Sequence, residues 1–429
     1  MGFLIILVYI ALALLSPWAG YPALADLRIM LWLMFIIAFV TLFQIMFRKI
    51  SLWVPQTPLL GIFLFLTVLS VAVTGWFGGA TIAFFLVMVP LTACLALIGN
   101  VSSLSRIRWL SLTLVLVGTY LSIRGILAVE FDIDRETYAF AERIYSDDET
   151  EVIAEIYRAR ALSFLKDPND LAQYLVACLP LAVFLWRRGR VIGNVFLVVA
   201  PICLMGGALY LTRSRGGLVG LAFLITLAAF RRSKFVAPLA GIGVVAGALA
   251  LGFSGGRSVS ISAGTGAGRI DLWADAIRLA GAHPIFGVGY GNIRDHLESF
   301  TAHNSYLLCL AETGVPGLFF WLAAFSLTFL QLWPVFSDAG ISEDTRRCCR
   351  FVAGSLASAM VTSFFLSRTY ALTLYIFLGT AVSAFLVARK EQAEPAPIFR
   401  SQWLLWNGLA MFLLVGVFYG MVRLRWLLE

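Results

Sequence analysis

The chain has 429 residues, of which 60% are hydrophobic and 13% charged, and it carries a formal net charge of +8. No soluble core hides that much apolar surface, so the composition excludes a soluble globular enzyme and requires a polytopic membrane protein. The basic excess sits in short loops between apolar runs, and no nucleic acid is expected as a partner.

The first apolar run, residues 3 to 18, is followed by Ala23-Leu24-Ala25, which resembles a signal-peptide cleavage site. No basic residue precedes the run, and it is longer than a usual signal core, so it is expected to stay as the first helix. Further apolar segments fall at 27 to 47, 57 to 75, 78 to 98, 109 to 129, 168 to 186, 191 to 211, 216 to 230, 235 to 253, 304 to 333, 351 to 366, 369 to 388 and 402 to 421. Each is near the length that spans a bilayer, which predicts an all-α polytopic membrane protein of about 12 or 13 transmembrane helices in one integral membrane domain, residues 1 to 429. If the spans alternate, Arg48-Lys49, Arg106/Arg108, Arg187-Arg188/Arg190, Arg231-Arg232/Lys234, Arg346-Arg347/Arg350 and Arg389-Lys390 share one side, and the positive-inside rule makes that side cytoplasmic. Arg423 and Arg425 conflict with the rule if the last segment spans; the alternative is that it lies on the membrane surface. The cysteines stand singly in apolar runs (Cys94, Cys178, Cys203, Cys309) or side by side (Cys348, Cys349), with no zinc spacing or disulfide framework.

Two larger loops are expected on the opposite side, at 130 to 167 and 254 to 303. The first is acidic, and within it Ala154 to Leu165 reads as a surface helix. Asp132-Ile133-Asp134 is formally the DxD pair with which some glycosyltransferases hold a metal and a nucleotide sugar. Nucleotide sugars are cytosolic, so on this face the pair reads as part of a solvated loop and no metal is expected. Asp167 suits a helix N-cap and Pro168 the first helical position. Asn169 and Gln173, four residues apart on one helix face, suit either sugar hydroxyls or a neighbouring helix.

Arginine at the outward end of a span runs against the usual charge bias and calls for an anionic partner; Arg124, Arg213, Arg215 and Arg368 are such cases. Thr212-Arg213-Ser214-Arg215-Gly216-Gly217 joins two spans in a tight turn whose small residues let a ligand approach the backbone, and its two guanidiniums suit a diphosphate. The alternatives are snorkelling to lipid head groups or pairing with Asp170 or Glu312. In the second loop, Gly264 to Gly268 lacks the Lys-Ser/Thr of a phosphate-binding loop and reads as a flexible lead-in. Asp271 to Ala282 has helical spacing, with Trp273, Ile277 and Ala280 on one side, and suits a helix on the membrane surface. His283 marks its end, and His296 has no further support. His303-Asn304 directly precedes a short helix, Ser305 to Thr313, broken at Gly314-Val315-Pro316-Gly317. A neutral imidazole there suits proton removal from a hydroxyl, the alternative being a cap or head-group contact. Glu312, in apolar surroundings, is expected to pair with an arginine.

Taken together, Ser214-Arg215-Gly216-Gly217, Gly268-Arg269 with Trp273, Pro284 to Gly289 with Gly291-Asn292, and Ala302-His303-Asn304 with Tyr306, Glu312 and Gly314 resemble the bacterial O-antigen ligase and O-antigen polymerase superfamily. The resemblance covers Tyr210 to Gly317, with Asp167 to Asp170 as upstream support. It implies a multi-pass inner-membrane glycosyltransferase of the multi-helix type, facing the periplasm and needing no cofactor. The implied donor is an undecaprenyl-diphosphate-linked glycan, and the implied acceptor a glycan or lipid A-core. By the same resemblance Arg215 and Arg269 match the family's diphosphate-binding arginines and His303 its histidine near the acceptor. Arg213, Arg124 and Arg368 join them only because of where their charges fall; Asn304, Asn169, Asp170 and Glu312 are expected to support the site. A ligase is the favoured reading, an O-antigen or exopolysaccharide polymerase the alternative. A transporter or flippase is the more distant one, since the matched halves such proteins commonly show are missing here.

Overall fold

A computed structural model of the chain describes residues 2–20, 24, 28–145, 152–230, 233, 239–243, 265–297, 300–393, 395 and 397–428. Its helices are α1 Gly2–Leu15, α2 Ile29–Met46, α3 Gln56–Ala72, α4 Phe77–Asn100 and α5 Leu104–Glu130. An antiparallel hairpin of β1 Ala139–Tyr145 and β2 Val152–Ala159 follows. Then come α6 Pro168–Phe184, α7 Val191–Thr212, α8 Arg215–Phe230, α9 Thr265–Ala282, α10 Ser305–Val335, α11 Glu343–Thr362, α12 Leu372–Arg389 and α13 Gln402–Leu428. Among the described residues nine helices are long and apolar enough to cross a membrane, with α3 and α8 as shorter apolar ones. The protein is an all-α polytopic membrane protein, with one small hairpin among the described residues. The expected span at 235 to 253 lies mostly outside the described residues, as do parts of the 130 to 167 and 254 to 303 loops.

The caps follow from the local sequence. Asp167 accepts the Asn169 amide at the start of α6, with Pro168 at the first helical position, where its missing N–H costs nothing. Asn304 accepts the amides of Tyr306 and Leu307 at 3.0 Å and starts α10. Inside the bundle α12 is apolar all round and almost wholly buried, packed between α4 and α11, while α11 rests on α6 and α10 on α3. The Gln56 amide group reaches across to another helix, donating to Thr328 at 2.9 Å and to Gln331 at 2.8 Å.

The bundle has two distinct ends. At one, arginines cap the carbonyls that helix C-termini leave unpaired: Arg347 donates to Val183 at 2.8 Å and Trp186 at 3.0 Å, and Arg350 to Phe336 at 2.7 Å. Arg108 pairs with Asp344 there at 2.7 Å, and Lys390 reaches Ser102. At the other end lie the hairpin, the α7–α8 turn, α9 and the start of α10.

Two expectations change. Ala154 to Leu165 is not a surface helix: Val152, Ile153, Ile156 and Tyr157 are strand-forming residues, and this stretch pairs with β1 from Ala139↔Ala159 onward. The Gly-rich stretch is helical from Thr265, so it opens α9 rather than leading to it; Gly264 lies outside the described residues. The last segment, which the sequence leaves as either a span or a helix on the membrane surface, runs lengthwise along α10. Ile398, just before it, accepts from Gln331, Asn407 donates to Phe319, and the Phe418 ring lies 6.5 Å from that of Tyr306.

Candidate active site

The turn between α7 and α8 is built by Arg213, whose φ of +48° reverses the chain in the left-handed conformation. Ser214 then receives the Gly217 amide on its hydroxyl at 3.2 Å and starts α8. A Cβ on Gly216 would stand 3.0 Å from Cβ of Phe365 and one on Gly217 2.8 Å from Cβ of Ala172, so the turn sits tightly against α6 and the α11–α12 connection. Only small residues fit.

Arg213, Ser214, Arg215 and Gly216 form one wall of a cavity of ≈ 170 Å³. Arg269 faces it from the first turns of α9, and Glu142, Arg158 and Asn169 close it from the hairpin and the start of α6, with Phe365 and Leu366 as its apolar side. Arg269 keeps its place because Trp273, one turn further along α9, is buried between Phe364 and Phe418, with ring centroids 5.4 and 5.6 Å away. This apolar face of α9 packs on α10 and α13 rather than on the membrane surface the sequence suggested, because its buried Trp273, Ala276 and Ala280 find protein partners there.

The positions expected from sequence divide accordingly. Arg213, Arg215, Arg269 and Asn169 are brought to one cavity, while Arg124, Asp170, His303, Asn304, Glu312 and Arg368 are not among its lining residues. The Arg124 guanidinium is held by Asp134 and lies 4.5 Å over the ring of Tyr138. Asp132 pairs with Arg135 at 2.7 Å, so each carboxylate of the DxD pair is engaged by an arginine. Arg368 and Asp170 form a two-pronged ion pair through Nε and Nη2, with Asp170 buried and Arg368 reaching solvent. Gln173 donates to the Ala359 carbonyl and the Ser363 hydroxyl, both at 2.9 Å, which decides for the neighbouring helix.

His303 sits in the residues just before α10, half-buried, with φ +46°. Its pKa lies below the ordinary histidine value: burial is the largest cause, Arg269 lowers it further, Asp167 opposes and Arg368 adds a smaller lowering. The imidazole is therefore neutral at neutral pH and able to accept a proton. Asn304 is fully buried and its side-chain Oδ1 caps α10. His283 and His296 are exposed at helix ends.

Glu312 corrects an expectation, since among the described residues no ion pair joins it to an arginine. Its Oε1 accepts the Gly291 amide at 3.0 Å. The reason lies in the break of α10 at Gly314, with φ +71°. Pro316 has no N–H to give the Glu312 carbonyl, and the Val315 amide turns away to Pro284 at 2.8 Å. The orphaned carbonyls of Ala311 and Glu312 take the amides of Val288 and Gly289 at 2.8 and 3.1 Å. Pro284 to Asn292 and Glu312 to Gly317 are thus two halves of one clamp. A Cβ on Gly287 would come within 2.3 Å of the Glu312 carbonyl carbon, so the contact is backbone to backbone.

Sequence reasoning missed Arg158 and Glu142, both on the hairpin. The strand signal was present in Val152-Ile153 and Ile156-Tyr157, but Ala154 to Leu165 reads as a surface helix within an acidic, solvated loop.

Residues 200–322 match the family model described as O-Antigen ligase. The O-antigen ligase of Pseudomonas aeruginosa (strain PAO1) is 32% identical over 145 residues, covering 32% of this chain and 35% of the relative, so the match spans about a third of that protein. No solved structure matches. The family-matched segment, less than a third of the chain, contains Arg213, Arg215, Arg269, His303 and both halves of the Gly287–Gly314 clamp, and through it the chain is similar to the O-antigen ligase family.

Proposed function

We propose that the protein is a membrane glycosyltransferase of the ligase type, which moves a glycan from an undecaprenyl-diphosphate carrier to an acceptor hydroxyl on a glycan or lipid A-core in lipopolysaccharide biosynthesis. The observation that carries this reading is the convergence of Arg213, Arg215 and Arg269 on one cavity, at the bundle end opposite the basic loops. The positive-inside rule assigns the basic end to the cytoplasm, so in a bacterial inner membrane the cavity faces the periplasm.

The proposed chemistry follows from charge. Breaking the bond between the anomeric carbon and the diphosphate oxygen sends an electron pair onto the leaving group. Guanidiniums already fixed around that oxygen stabilise the charge as it grows, without reorganising at the moment of reaction. Neutral His303 takes the proton of the acceptor hydroxyl, whose oxygen attacks the opposite face and inverts the anomeric carbon. The energy comes from the phosphoester itself, so no cofactor enters the scheme, and none of these steps requires a metal.

The test is turnover of a lipid-diphosphate glycan by the purified protein in nanodiscs, with and without EDTA. Product formation that survives chelation is expected. Complete loss, restored by magnesium or manganese, would move the chemistry to Asp132 and Asp134; in sealed proteoliposomes, transport of the donor without a glycosidic product would replace the enzyme reading with a transporter.

A further inference from the structure

Strand β2 lies outside the family-matched residues 200–322, yet it places Arg158 in the wall of the arginine cavity. Three parts of the fold meet on this buried guanidinium. Nε donates to the Thr212 carbonyl at 2.8 Å, Nη1 to Glu142 on β1 at 3.2 Å, and Nη2 to Asn169 in the first turn of α6 at 3.2 Å. Thr212 is the last residue of α7, where a helix runs out of amide donors for its carbonyls and where a cation also meets the negative end of the helix dipole. The next residue, Arg213, holds the left-handed conformation that a residue with a Cβ keeps only when its surroundings enforce it.

We propose that Arg158 is a positioning residue of the anion site. By holding the Thr212 carbonyl it keeps the Arg213-Ser214-Arg215 turn in its reversed form, so that the turn meets an anionic ligand already shaped, and this makes the hairpin a working part of the site. A planar guanidinium sends its N–H groups in fixed directions to three separate acceptors, which the ammonium of a lysine does not do. The inference rests on the diphosphate reading for the identity of the ligand, but the contact with the turn is tested without any substrate.

The amides of the turn report on it directly, because Arg213 donates to Tyr210 and Ser214 to the Thr212 hydroxyl. Full-length wild type, Arg158→Lys, Arg158→Gln and the double variant Glu142→Gln/Arg158→Gln are compared in nanodiscs. The readouts are hydrogen exchange over residues 210 to 217 and the KM and kcat for a lipid-diphosphate glycan. Exchange in the turn is expected to rise roughly tenfold or more in all three variants, and kcat/KM to fall by a similar factor, with Arg158→Lys behaving like Arg158→Gln. Unchanged exchange in a folded Arg158→Lys protein would overturn the proposal. So would recovery of wild-type exchange in the double variant, which would reduce Arg158 to a counter-charge for Glu142. Should Arg158→Gln not fold, Arg158→Lys, which keeps the charge and most of the bulk, decides. A wild type that turns over no lipid-diphosphate glycan would count against the function proposed above, while the exchange comparison would still judge Arg158.

Discussion

Arg215 opens α8 at a turn with no spare room, and its planar fork suits a two-pronged contact with phosphate oxygens. Arg215→Lys is expected to lower kcat about 100- to 1000-fold, the usual cost of removing one such donor, and turnover near wild type would count against its role. His303 acts in its neutral form, and its pKa lies below the ordinary value. Activity should therefore be flat through neutral pH and fall only as the pH drops through a value below about 6.5, where the imidazole takes up a proton. A rate that rises through that range and keeps rising past neutrality would point to another base. The Asp170–Arg368 pair allows an asymmetric prediction. Arg368→Gln strands a carboxylate in the interior and should cost about 3–5 kcal/mol of stability. Asp170→Asn leaves a guanidinium that already reaches water, and should cost less. Thermal unfolding of both variants in detergent checks the order. Of these residues, Arg215 and Arg368 stood out in the sequence because charge at the wrong end of a span departs from a strong rule, and His303 stood out through its place before a short broken helix and the family resemblance. Asp170 was legible only as a position near a helix start: nothing local to it announces a partner 198 residues away.

Among the elements, the broken helix α10 and the loop before it share one set of hydrogen bonds. Backbone that leaves helical geometry inside a membrane protein is tolerated only where other protein groups satisfy it, and here Val288, Gly289 and Pro284 do so. Gly287→Val should cost several times what a surface change costs, on the order of 2 kcal/mol or more, because a side chain at φ +67° is strained and the obstacle is carbonyl backbone. Glu312→Gln keeps an acceptor for the Gly291 amide and should be tolerated better than Glu312→Leu, which leaves that amide without one. Size-exclusion recovery after a heating series separates these outcomes; equal tolerance of Glu312→Leu and Glu312→Gln would show that the side-chain bond is dispensable. The glycines and prolines of this motif were visible as breakers. Their pairing was not, since it joins backbone groups more than twenty residues apart.

For the whole molecule the governing fact is polarity between two ends, one dressed with helix-capping arginines and the other with a cavity. With the lipid-facing Cys203 replaced by serine, single cysteines introduced as Arg188→Cys and Arg294→Cys should react with an impermeant maleimide from opposite sides of the membrane. Arg423→Cys should label with Arg294→Cys, because α13 runs along α10 toward the cavity end. Labelling with Arg188→Cys would mean that α13 does not cross.

The sequence by itself determined that this is a bundle of spans, roughly where each begins and ends, and which cations break the charge bias. Those properties are written locally, in runs of apolar residues and in the charges between them. The tertiary structure alone decided that a β-hairpin rather than a surface helix closes the cavity, that Arg158 joins it while Arg124 is taken up by Asp134, and that Glu312 serves a backbone amide instead of an arginine. Each of those outcomes depends on which partner a polar group finds once water is excluded. That choice is made by distant segments meeting in space.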